Sequence, residues 1–168
     1  METKTVGKKS LSALVDLFDL HTVLFSNVIE GISEKDANNR LNTRANHPSW
    51  LTGSLVQMRY ELANALGSHL EEPTFHELFK GYKGIQDDVT YPTLAEYKND
   101  WEKITPVLRD GLMNLQEEKL ESIAPFDMGG EVTFYDAISF SIDRESYCIG
   151  QIGLWRRLLG YEAMKYPE

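Results

Sequence analysis

Arg144, Cys148, Gln151 and Trp155 recur at spacings of four, three and four, which sets them in one row along a helix. A guanidinium, a thiol, an amide and an indole in such a row can hold a ligand or act on one. Arg144 offers five N–H donors and a permanent charge. Cys148 becomes a nucleophile only as the thiolate, which a guanidinium one turn away favours and burial among Tyr147, Ile149 and Ile152 opposes. Buried free cysteines are common, so Cys148 reads as an inert core residue. Ile138, Ile142, Ile149 and Ile152 flank the row on one side, and Phe140, Tyr147, Leu154 and Leu158 on the other. That puts Arg144 in the middle of an apolar arc, where an unpaired charge costs several kcal/mol. It must therefore snorkel, pair with a carboxylate of another helix, or face a pocket that takes an anionic ligand.

The row belongs to the last of four helical segments, with strand-like alternation scarce. Leu11, Leu14, Phe18, His21, Phe25, Val28 and Ile32, widened by Leu17 and Leu24, predict a first helix over about 10–32, with Ser10 or Ser12 as cap. Pro48 opens a second, over about 48–66, with the stripe Leu51, Leu55, Met58, Leu62 and Ala65 and a stop at Gly67. A long link with a short helix near 75–79 leads to a third helix over about 94–121. It opens on the capping-box pattern Thr93 to Glu96 and kinks at Pro106. The fourth runs from about 134 to 159, capped by Thr133 and closed by Gly160. A connection as long as the one between the second and third helices crosses a bundle rather than turning a hairpin. The expectation is a single all-α domain over 1–168, a four-helix bundle. Gly150 and Gly153 on the thin face of the fourth helix invite a close approach, by another helix or by a second copy of the chain.

Composition narrows the function. With 17 Lys and Arg against 26 Asp and Glu, the net charge of −9 speaks against nucleic-acid binding, which needs a basic face. One cysteine excludes an internal disulfide and zinc knuckles. The N-terminal charges Glu2, Lys4, Lys8 and Lys9 are followed by a run broken by Asp16 and Asp19, so no targeting segment is read there. The longest uncharged stretch, Ala45 to Met58, is too short and polar for a membrane span. A cytoplasmic protein without membrane or nucleic-acid partners is expected.

Two stretches carry a resemblance. Asn46-His47-Pro48-Ser49-Trp50-Leu51-Thr52-Gly53-Ser54-Leu55, and Arg144 through Gly150-Gln151-Ile152 to Arg156-Arg157-Leu158-Leu159-Gly160, resemble the DinB-like (DNA-damage-inducible, YfiT-like) family of bacterial four-helix bundles. The likeness spans about 10–161. It implies an up-down-down-up topology and a homodimer. Many such proteins hold zinc or nickel on three histidines, and characterised members include metal-dependent thiol transferases and isomerases. Carried over by position, the ligand places are Ser54, Arg144 and Cys148, none of them histidine. A guanidinium has no lone pair to give a metal. No metal cofactor is therefore expected. His21, on an apolar face, reads as a hydrogen-bonded core residue, His47 as a cap or loop residue, and His69 and His76 as surface residues of the link.

These readings converge on a metal-free bundle whose pocket binds a small, anionic molecule through Arg144. Ser54, Gln151 and His21 would supply hydrogen bonds, and Met58 and Trp155 the apolar wall, beside Cys148. The alternatives are a thiol transferase-like enzyme dependent on a metal or on Cys148, and a structural or regulatory homodimer with a repacked site.

Overall fold

The computed structural model describes residues 8–167, with side chains from residue 11 onward. Glu2 and Lys4, and the side chains of Lys8, Lys9 and Ser10, lie outside the described residues. Four long helices, α1 (Lys8–Ile29), α3 (Pro48–Ala65), α5 (Leu94–Met113) and α7 (Phe134–Leu158), carry the architecture. Three short ones, α2 (Glu34–Ala37), α4 (His76–Phe79) and α6 (Glu117–Glu121), lie in the connections. Among the described residues the only strand-type pairing is an isolated bridge between Ile123 and Thr133.

Cross-helix contacts define the topology. Gly53 faces Tyr97 and, more than three turns further along both helices, Leu66 meets Gly111, so α3 and α5 run parallel. His21 meets Glu145 and Val28 meets Gly153, so α1 and α7 run parallel as well. Asp19 with Arg109 and Thr22 with Trp101 make α1 and α5 antiparallel. Arg59 with Glu145 and Asn46 with Trp155 do the same for α3 and α7. The result is an all-α bundle of up-down-down-up order, with the helices arranged α1–α5–α3–α7 around the core.

Local chemistry sets the ends. Thr93 and Thr133 each make a reciprocal capping box, with Glu96 and Asp136. His47 caps α3, its Nδ1 accepting from the Trp50 N–H at 3.1 Å. At the end of α7, Gly160 takes φ +87°, and the Tyr161 N–H returns to the Arg156 carbonyl at 2.9 Å, a Schellman-type closure. Gly53 is needed for packing instead. A Cβ there would stand 2.6 Å from Phe79 Cζ and overlap the Tyr97 ring, so only glycine lets α3 seat on this aromatic cluster.

Two boundaries differ from the sequence expectation. The first helix ends at Ile29, where Gly31 at φ +73° turns the chain, although Ile32 still packs into the core. The third ends at Met113, capped by Asn114, and 117–121 forms the separate α6. Pro106 lies inside α5 as one element, with the neighbouring Thr105 hydroxyl donating to the Trp101 carbonyl at 2.7 Å. The stretch Leu11–Ile29 of α1 is long and apolar enough to cross a membrane, with a mean hydropathy of 1.3. Its Phe18, Phe25 and Val28 are fully buried in the bundle.

The largest correction concerns the orientation of α7. Phe140, Tyr147, Leu154 and Leu158 are 49%, 67%, 61% and 59% exposed and do not flank the core. The buried stripe is Ile138, Ile142, Glu145, Cys148, Ile149, Ile152, Trp155 and Arg156. Arg144 lies at its edge, half-buried, and the charge at its centre is Glu145. Burying Glu145 opposite Arg59 of α3 satisfies that charge and puts the isoleucine row, rather than the Arg144 row, at the centre of the buried face.

Candidate functional site

Two polar constellations meet where α3 faces α7. The inner one is sealed. Arg59 and Glu145, 1% and 2% exposed, form a two-pronged pair, Nε to Oε1 at 2.6 Å and Nη2 to Oε2 at 3.0 Å. The remaining Nη1 donates to Thr105 of α5 at 2.6 Å and Thr22 of α1 at 3.1 Å, so one guanidinium joins all four long helices. Its plane lies between Phe18 and Trp101, 4.0 and 3.3 Å from their ring centres. His21 Nδ1 stands 3.4 Å from Glu145 Oε2. Burial alone would raise the Glu145 carboxyl; Arg59 and His21 beside it overcome that and hold it below the usual carboxylate range.

The outer constellation is open. A cavity of about 360 Å³ lies between α3 and α7, closed on one side by Phe79, Tyr82 and Lys83 from the middle of the long link between α3 and α5. The loop ahead of α7 closes the other side with Phe126, Asp127 and Met128. Its size falls within the range of small-molecule sites. Met58, Leu62 and Ser141 separate it from the Arg59–Glu145 pair, since they line both this cavity and a much smaller one beside that pair.

Arg144 reaches into this cleft from α7. Its Nη2 lies 3.3 Å from Ser54 Oγ and its Nη1 4.0 Å from Met58 Sδ. No carboxylate among the described residues pairs with it, although Arg40, Arg59, Lys80, Lys103 and Arg109 each find one. Two residues of the wall also carry a buried side-chain atom with no partner: the indole Nε1–H of Trp50 and the amide Oε1 of Gln57. The Gln57 amide is oriented by Glu61, whose carboxylate can only accept; Gln57 Nε2 donates to it at 3.0 Å and lies 2.7 Å from His76 Nδ1. Buried polar groups without partners are rare, and on a cavity wall they mark where a ligand's groups can sit.

Of the residues singled out in the sequence, Ser54, Met58 and Arg144 come together on this wall. The other four do not line it. Cys148 is buried one turn beyond Arg144, its thiol pushed up by burial, with Arg144 acting against that and Glu145 adding to it. Gln151 is half-buried on the next turn. His21 lies on the far side, against Glu145, and Trp155 packs in the core with its Nε1 donating to the Asn46 carbonyl at 2.8 Å. The places where the resemblance would put metal ligands do not make a donor set. Arg144 brings a guanidinium against Ser54, and the Cys148 thiol is kept protonated by burial. Among the described residues, no three His, Cys, Asp or Glu side chains converge as metal ligands would.

Trp50, Gln57, Glu61 and the Arg59–Glu145 pair were not singled out from the sequence. A signal for the pair existed. Glu145 fills the vacant place in the row Ile138, Ile142, Ile149, Ile152, and Arg59 the place between Leu55 and Leu62. Two opposite charges in core registers of two helices suit one another.

No protein-family model matches the chain, and no curated protein matches it. A solved structure of a conserved protein from Enterococcus faecalis is similar in fold, with a TM-score of 0.59 at 15% sequence identity, covering 88% of this chain and 95% of that one. At that identity the likeness is one of fold.

Proposed function

We propose that the chain is a metal-free, DinB-like bundle that binds a small anionic molecule in the α3–α7 cleft through Arg144. The observation that carries the reading is a guanidinium on an apolar-walled cavity with only a hydroxyl and a thioether for partners. A fixed cation in such surroundings forms hydrogen bonds with an anion that are stronger than those between neutral groups. Titrating 15N-labelled protein with benzoate should give saturable shifts at the Trp50 indole N–H. Arg144→Gln should weaken that binding about tenfold, the equivalent of about 1.4 kcal/mol. Benzamide binding as tightly as benzoate, or an unchanged affinity in Arg144→Gln, would overturn the reading.

A second reading, pairing with another copy of the chain, is favoured by apolar side chains left exposed on adjacent helices. Leu17, Leu20 and Val23 of α1 and Tyr147 and Leu154 of α7 are all exposed, with open space above Gly150. Neighbouring exposed apolar groups of this number are characteristic of an interface. Sedimentation velocity should give a dimer that Leu17→Glu with Leu20→Glu converts to monomer. A wild-type protein that stays monomeric at its highest soluble concentration rules the pairing out.

A further inference from the structure

The cleft is polar in two senses, and the two lie at different ends. At one end stand the anion-seeking groups: the Arg144 guanidinium beside Ser54, and the unpartnered Trp50 Nε1–H one turn back along α3. At the other stand groups that seek a donor or a cation. Gln57 Oε1 is a buried acceptor with no donor, on a residue 2% exposed. Glu61 lies one turn on, and Asp127 comes from the loop that packs where α3 ends, since Phe126 joins Ala65 and Leu66 in one apolar cluster. Lys83, the second cation on the wall, is turned to the Glu77 carbonyl at 2.8 Å. From Ser54 to Glu61 is seven residues, about 10 Å of helix. The wall between is apolar, from Met58, Phe79 and Phe140.

An anion alone would answer Arg144 and Trp50 and leave Gln57 Oε1 unpaired, with the Glu61 and Asp127 carboxylates of the same wall still without a counter-charge. A protonated amine at that end would give the amide oxygen a donor and the carboxylates a counter-charge. We infer that the ligand is a zwitterion. Its anionic group sits at Arg144 and Trp50, its ammonium at Gln57, Glu61 and Asp127, and an apolar body about the length of an aromatic ring or a five-carbon chain lies between. This rests on the Arg144 reading of the preceding section and adds the second charge.

The test compares 4-(aminomethyl)benzoate with 4-methylbenzoate, and 6-aminohexanoate with hexanoate, by the same indole titration. In at least one pair the amine should tighten binding about tenfold. In the Glu61→Gln, Asp127→Asn double variant that gain should be abolished, while the parent carboxylate binds no more weakly than to the wild type. Glu61→Gln keeps an acceptor for Gln57, so the wall is preserved. No gain in either pair, or a gain that survives the double substitution, overturns the zwitterion while the anion reading stands. Failure of the parent carboxylates to bind overturns both.

Discussion

Replacing Arg59 with methionine should cost about 3–5 kcal/mol of folding stability, because it leaves the Glu145 carboxylate buried without its counter-charge. Urea denaturation at neutral pH measures it as a fall in the midpoint at unchanged slope. The pH dependence gives a second signature. In the wild type the Glu145 carboxyl is held low, so it contributes stability that is present above its unfolded pKa and lost as pH falls through the folded one. Without Arg59 the folded carboxyl rises above its unfolded value, and the variant is least penalised in acid. The gap between the two proteins should therefore shrink below about pH 4, near the carboxylate's ordinary range. Arg59→Met with Glu145→Met should recover most of the loss, since both threonines keep their own bonds. Thr22 donates to the Phe18 carbonyl at 2.9 Å, and Thr105 to that of Trp101. A single substitution costing less than about 1 kcal/mol would show that the pair is not what ties the four helices together.

The same pair explains how far the sequence could be read. The four helices were legible because Phe18, Phe25 and Val28, or Trp101, Ile104 and Leu108, repeat at the helical period and bury accordingly. The orientation of α7 was not legible, because apolar periodicity measures affinity for any apolar surface. Phe140, Tyr147, Leu154 and Leu158 form as good a stripe as the isoleucines, yet they face out. Counting both stripes as core rotated the inferred centre from Glu145 to Arg144. Glu145 was not singled out, although it shares the isoleucine row, because its partner lies 86 positions away on another helix. Of the candidate site, Arg144, Ser54 and Met58 were found from helical spacing and resemblance together. Trp50 and Gln57 were not, because their significance is a missing hydrogen-bond partner, which exists only once the fold places the surrounding donors and acceptors.

Acidification from about pH 6.5 to 4 should remove about 3 kcal/mol of stability through His47 alone. Its imidazole is 5% exposed, packed edge-on to Tyr91, and burial pushes its pKa down to about 4, from the ordinary value near 6.5. Its Nδ1 must also stay unprotonated, because it accepts the Trp50 N–H that opens α3. Between those two pH values the unfolded chain holds the proton and the folded one does not. The contribution is therefore whole above about 6.5 and is lost progressively as pH falls from there to 4, at about 1.36 kcal/mol for each pH unit. His47→Asn supplies a cap that does not titrate. Its stability should fall less steeply than the wild type's across this window, and the two should converge in slope above it. The His47 Cε1 proton resonance, followed by NMR in the folded state, should titrate near 4. A midpoint above about 6, close to the ordinary histidine value, would mean that the cap is not held unprotonated by burial, and the difference in slope would vanish with it. The cap also fixes the first turn of α3, on which the Trp50 indole stands at the wall of the cleft. Losing it in acid should therefore weaken benzoate binding in the wild type more than in His47→Asn.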